Sequence, residues 1–348
     1  MTDPVLSPDG KWMWTGTEWI PAPPNSSQSA NVSLQDSVIG GDVTITQNNA
    51  EDIAAAKVTA LERIGFTGQS SPEELTSAQE GEVEQVLEMS EQLVRHGIEI
   101  DPFTENTLGI AAQFVGKIHS AQQHFLRALE ISRKNGDRKG EAASLNNLAL
   151  IARTRGDLAE AEQLLRESLA IMREIGDRKG EADSLNNLGE ITRIRGDLAE
   201  AERLYQESLA IKREIGNRQG ESASLLNLAI IAQTRGDLDE AEHLHRESLA
   251  IMREVGYRQG EAASLGNLGV IAQTRGDLAE AERLYRESLA INREIGDRKG
   301  EADSLYNLAV IAASRGDPDE QRRFDTEVVK IHREIGIPID QWFIDNGY

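Results

Sequence analysis

The sequence contains no cysteine among its 348 residues. That absence excludes disulfides, thiolate zinc sites, iron–sulfur clusters and cysteine nucleophiles together. Long apolar runs are missing too. None approaches the ~18 residues that a membrane-spanning helix needs, so no membrane association is expected. The opening string MTDPVLSPDG has neither the basic nor the apolar region of a secretory signal, and a cytoplasmic location is expected. Basic residues are scarce: 37 Lys and Arg stand against 59 Asp and Glu, a net charge of −22. This argues against nucleic acid as a partner, because duplex binding rests largely on neutralising phosphates. The deficit is uneven. Residues 1–100 hold 16 acidic residues and only four basic ones, Lys11, Lys57, Arg63 and Arg95, while the rest of the chain is charge-mixed.

Signatures of catalysis are also lacking. No H-E-x-x-H, P-loop, G-x-G-x-x-G or G-x-S-x-G string occurs. His243 and His245 lie two apart and point to different sides of a helix, and His119 and His124, five apart, form no better metal pair. No catalytic residue, cofactor or metal ligand is expected, and the chain reads as non-enzymatic.

What the sequence does hold is a repeat. Gly-Asp recurs at 156–157, 196–197, 236–237, 276–277 and 316–317, each time after 40 residues. Six copies follow from this frame, at about 102–141, 142–181, 182–221, 222–261, 262–301 and 302–341, the first and last more divergent. Each copy predicts two helices. Leu145, Leu148, Ile151 and Ala152 recur at helical spacing on one face. Arg155-Gly156 ends that helix, since glycine tolerates the left-handed conformation that stops one. Asp157 then caps the next, with Glu160 spaced to reach back, and the box recurs as Asp197/Glu200, Asp237/Glu240, Asp277/Glu280 and Asp317/Glu320. That spacing explains the Gly-Asp pairs as caps rather than calcium loops, which need several oxygen ligands in a tight run. The second helix turns Ala161, Leu164, Leu165, Ser168, Leu169 and Ile171 inward and ends at Gly176, with Asp177 placed to cap the next copy. One such pair cannot bury its apolar face alone, so the copies must stack.

At these residues the chain resembles the tetratricopeptide repeat. The pattern W-x₂-L-G-x₂-Y then A-x₃-F is matched by Leu145-x₂-Leu148-Ala149-x₂-Ala152 then Ala161-x₃-Leu165, and in the next copy by Leu185, Leu188, Gly189, Thr192, Ala201 and Tyr205. At 40 residues, without the closing proline, the copies are similar to the longer repeats of kinesin light chain and its prokaryotic relatives. The resemblance implies an all-α, right-handed α-solenoid of helix-turn-helix repeats, with a small N-terminal β element ahead of it. It further implies a scaffold that binds a protein or an extended peptide in a concave groove lined by the first helices. The alternative it leaves open is a peptide-sensing regulator that changes shape on binding.

The groove residues follow from the frame. Asn147, Asn187, Asn227, Asn267 and Asn307 form one column, each with two donors and an acceptor for an extended backbone. A purely structural role for them, bonding neighbouring helices, remains the competing reading. The column before it reads Asn146, Asn186, Leu226, Gly266 and Tyr306, and contains none of the basic residues of chaperone-tail clamps. A third reads Leu150, Glu190, Ile230, Val270 and Val310, and a fourth Arg153, Arg193, Gln233, Gln273 and Ala313. The groove is thus expected to take a polar or acidic segment near Arg153 and Arg193 and an apolar one near Leu226, Val270 and Tyr306.

Outside the repeats, residues 1–21 place Trp12, Trp14 and Trp19 in a string with turn signals, which predicts a small aromatic β-hairpin module. Residues 22–30 read as a linker. Residues 31–48 predict two short strands around Gly40-Gly41 that pair with other copies, making a homo-oligomer. Residues 50–100 predict a helical N-terminal cap, with helices over 51–66 and 72–97, and residues 337–348, with Trp342 and Phe343, a C-terminal cap.

Overall fold

The computed structural model describes residues 5–6, 12–14, 19–21, 32–34, 43–45, 61, 63, 65–66, 75–95, 97 and 99–347. The chain divides into two compact units, Met1–Gly140 and Glu141–Tyr348.

In the first unit, β1 (Val5–Leu6), β2 (Trp12–Trp14) and β3 (Trp19–Pro21) form an antiparallel sheet in that order, with Trp14 opposite Trp19. Val5–Leu6 supplies a strand beyond the two that the tryptophan spacing suggested. β4 (Val32–Leu34) pairs antiparallel with β5 (Val43–Ile45). The turn strings, the linker at 22–30, the Gly40-Gly41 break and most of 51–74 lie outside the described residues. Helices α1 (Ser77–Arg95), α2 (Pro102–Phe114) and α3 (Ile118–Asn135) complete the unit. The Asp101 carboxylate accepts the Thr104 N–H at 3.0 Å and Pro102 opens α2, where a missing N–H costs nothing.

The second unit is a run of helix pairs. They are α4 and α5 (Arg138–Thr154, Leu158–Ile175), α6 and α7 (Arg178–Ile194, Leu198–Glu214), α8 and α9 (Arg218–Arg235, Leu238–Val255), α10 and α11 (Arg258–Thr274, Leu278–Ile295), and α12 and α13 (Arg298–Arg315, Pro318–Glu334). α4 enters this unit at Glu141. A short α14 (Gln341–Asp345) follows. The joints are those the Gly-Asp pairs predicted. Gly156 takes a φ of 82°, and the Asp157 carboxylate accepts the Glu160 N–H at 3.3 Å. The return arm of the capping box is replaced: the Glu200 and Glu280 carboxylates turn to Arg203 and Arg283 instead.

No pair has a core of its own. One apolar cluster joins Ala149 and Ala152 of α4 to Ala161, Leu165 and Leu169 of α5, Leu185 and Leu188 of α6, and Leu204 of α7. The next runs from α7 to α10 and the last from α9 to α14. In that last cluster Phe343 is buried, whereas neighbouring Trp342 is exposed. Buried serines tie the layers. Ser168 Oγ donates to the Ala142 carbonyl at 2.9 Å, Ser208 to Ala182 at 2.8 Å and Ser288 to Ala262 at 2.9 Å.

Within each pair a small residue on the first helix faces a larger one on the second. Gly109 faces Phe125, Gly189 faces Tyr205 and Gly269 faces Tyr285. A methyl group on these glycines would lie 2.3, 2.8 and 2.5 Å from the ring carbons. At the equivalent places Ala149 stands with Leu165 and Ala229 with His245, all four buried. Glycine is used where the second position carries a six-membered ring, and alanine where the side chain is smaller.

Ion pairs lock successive copies together. The buried Glu181 carboxylate receives Arg173 Nε at 2.9 Å and Arg178 Nη1 at 2.5 Å. Arg178 continues to Glu214 at 2.6 Å, and Arg173 to Glu207. The same knot recurs around Glu221, Glu261 and Glu301.

The size matching predicts a double-mutant outcome. Gly269→Ala should lower the urea midpoint of the intact chain, by an amount equivalent to about 1–3 kcal/mol of overpacking. Adding Tyr285→Leu should recover most of the loss, since it recreates the Ala149–Leu165 arrangement. Additive losses in the two variants would contradict the pairing.

Candidate functional site

The columns singled out from the sequence lie on the first helices α4, α6, α8, α10 and α12. Asn146, Asn147, Asn186, Asn187, Leu226, Asn227, Asn267 and Asn307 are all half-buried, and Tyr306 is exposed. The structure connects them in a register not visible in the frame. Asn187 Nδ2 donates to Asn146 Oδ1 at 2.9 Å, and Asn227 Nδ2 to Asn186 Oδ1 at 3.1 Å. Each bond joins one asparagine column to the column before it, across a step of 41 residues rather than 40. At the next two steps the acceptor column holds Leu226 and Gly266, which offer no side-chain acceptor. Asn267 and Asn307 make no side-chain hydrogen bond among the described residues.

Four polar residues of the third and fourth columns are engaged within the protein. Glu190 accepts Arg193 Nε and Nη2, each at 2.9 Å, and the Tyr205 hydroxyl at 3.1 Å. The Arg193 guanidinium holds the Glu190 carboxyl below its usual range against the opposing effect of burial. Gln273 accepts the Tyr285 hydroxyl at 2.9 Å, and Gln233 Oε1 lies 3.5 Å from His245 Nε2. Burial pushes the Tyr285 phenol up to about 12. Arg153 remains half-buried beside this group, close enough to contribute to holding the Glu190 carboxyl down.

Farther along, an open recess of about 510 Å³ lies between α8, α10 and α12, lined among others by Leu226, Gly266, Asn267, Val270, Asp303 and Asn307. Asp303 was not among the residues singled out from the sequence. It sits one turn before the asparagine column, in the place where Asp183 stands three copies earlier. Among the described residues no group of three or more His, Asp or Glu side chains is placed to hold a metal ion, and no helix is long and apolar enough to cross a membrane.

Comparison with known proteins agrees with the helical-repeat fold. The tetratricopeptide repeat family model matches residues 103–174, 180–254 and 260–334, well over half of the chain. Among solved structures, BtubC (BKLC) from P. vanneervenii is 20% identical, covering 64% of this chain and 94% of its own with a TM-score of 0.57. The repeats of a putative kinesin light chain from P. anserina are 23% identical, covering 55% and 95%, with a TM-score of 0.47. RapI in its apo form is 11% identical, covering 84% and 99%, with a TM-score of 0.61. No curated protein matches at a significant level. The chain belongs to the tetratricopeptide repeat family, and its fold is the α-solenoid of that family. Its copies are 40 residues long.

A buried histidine of α9 makes a pH prediction. His245 is fully buried, its Nδ1 has no partner, and burial pushes its imidazole down to about 4. It stays neutral in the fold but gains a proton in the unfolded chain below the ordinary value of 6.5. The native state therefore loses stability as pH falls from 6.5 toward 4, by on the order of 3 kcal/mol in full. His245→Leu, matching Leu165 two copies earlier, should remove that part of the slope when urea midpoints are compared across the window. Parallel profiles for the two proteins would contradict the assignment.

Proposed function

We propose that the chain binds an extended peptide segment of a partner protein along the first-helix face. The observation that supports this is the asparagine column at 147, 187, 227, 267 and 307, half-buried amides repeated down one open face. Such amides pair with the alternating C=O and N–H groups of an extended backbone without reading its sequence. Family membership supports the same role, because tetratricopeptide solenoids are in general protein-interaction scaffolds. A partner's acidic residue at the N-terminal end of the face would meet Arg153, since the Arg193 charge is balanced by Glu190.

An array of immobilised synthetic peptides, probed with the intact chain, tests this reading. Replacing Asn187, Asn227, Asn267 and Asn307 by alanine should abolish the array signal while the far-UV spectrum stays helical. Undiminished binding by that variant would move the site elsewhere.

We also propose that a second copy of the chain covers the β4–β5 ribbon. Two strands of three residues are marginal alone in water. Deleting 31–48 should lower the molar mass measured by light scattering, and an unchanged mass would refute self-association through this segment.

A further inference from the structure

One helical glycine in the repeats has no packing reason to be there. Gly189 and Gly269 are required by the tyrosine rings, and the glycines at 180, 220, 260 and 300 are likewise hemmed in below 3.0 Å. Gly266 is different. A side chain there would meet nothing nearer than Ser288 Oγ, at 4.0 Å. A helix-interior glycine costs about 1 kcal/mol relative to alanine, and here no close contact offsets that.

What Gly266 does instead is leave Asn307 without the acceptor that Asn186 supplies to Asn227, just as Leu226 leaves Asn267 without one. Both unengaged amides line the same 510 Å³ recess. The recess also holds a carboxylate, Asp303, that no cation among the described residues reaches at ion-pair distance. Three copies earlier, Asp183 has the buried Lys212 ammonium at 4.0 Å. The position that corresponds to Lys212 beside Asp303 is His332, and Asp303 forms no hydrogen bond or ion pair among the described residues. Lys299 lines the recess one turn away without reaching ion-pair distance.

We infer that the peptide site of this chain is concentrated in this recess, and that it takes an extended segment in which an apolar side chain fills the space over Gly266 while a neighbouring lysine or arginine pairs with Asp303. The backbone of that segment engages Asn267 and Asn307, and Leu226 and Val270 supply the apolar wall. This rests on the peptide-groove reading above and adds its place and its preference. Charge complementarity carries the choice of a basic partner: an unpaired carboxylate, two unengaged amides and an apolar wall converge there, whereas copies two to four have closed their amides on one another.

The test uses fluorescein-labelled synthetic peptides of alternating Val and Lys, Val and Glu, and Val and Ser, titrated into the intact chain by anisotropy. The Val–Lys peptide should bind at least about tenfold more tightly than the Val–Glu peptide. The double variant Leu226→Asn and Gly266→Asn restores the acceptors and fills the recess without changing net charge. It should melt at or above the wild-type temperature and lose the Val–Lys binding. Asp303→Asn should lose the Val–Lys preference while keeping the Val–Ser affinity. A Val–Lys preference that survives in the double variant would come from the overall negative charge and would overturn the inference, as would preferred binding of Val–Glu; in both cases the groove reading would stand. Failure of all three peptides, together with a blank peptide array, would remove the groove reading and this inference with it.

Discussion

Every helix pair in the second unit depends on its neighbours for a core. Each pair presents two apolar faces and can satisfy only one of them internally. The buried clusters accordingly run through three or more helices, so that Leu185 of one copy is packed with Ala149 and Leu165 of the copy before it. In such an array stability is set by pairwise steps between copies. Whatever occupies a step must therefore be repeated with little change, and this is why the 40-residue frame is strict in its leucines, alanines and serines and loose elsewhere.

The charged residues obey the same constraint. Glu181, Glu221, Glu261 and Glu301 are buried carboxylates, and removing such groups from water is unfavourable unless they are fully paired. Each receives two arginines, one from the preceding helix and one from its own first turn, and those arginines reach on to the following helix. A knot of this kind spans three helices and fixes their spacing as firmly as the leucines do. It also engages much of the arginine in the repeats. The positive charge of this region is committed to holding copies together, and little of it is available to an incoming partner.

The helices, their caps and their inward faces were legible in the sequence because each is a local rule repeated five or six times. Gly156 and Asp157 announce a stop and a start, and the geometry follows. The Gly189–Tyr205 fit and the arginine knots were less visible. Their partners are separated by half a repeat or by nearly a full one, and nothing in either residue alone names the other. The asparagine ladder was half legible. The column at 147 to 307 stands out, but its bonds run to the preceding column in the next copy, with an offset of one residue that alignment of the copies hides. Asp303 escaped notice for a related reason. Its surroundings are set by His332, 29 positions away, which stands where Lys212 stands beside Asp183.

Repeats within one chain provide their own controls. Where four copies share a residue, packing explains it. Where one departs, the neighbours show whether packing forced the change. At Ala229 the departure from Gly189 and Gly269 is matched by His245 in place of tyrosine, so the two changes compensate and the step between copies is preserved. At Gly266 no second change answers the first: the space stays open, and the amide of Asn307 across from it stays unengaged. A change that packing neither requires nor repairs separates the part of the face that binds itself from the part that is left to bind something else.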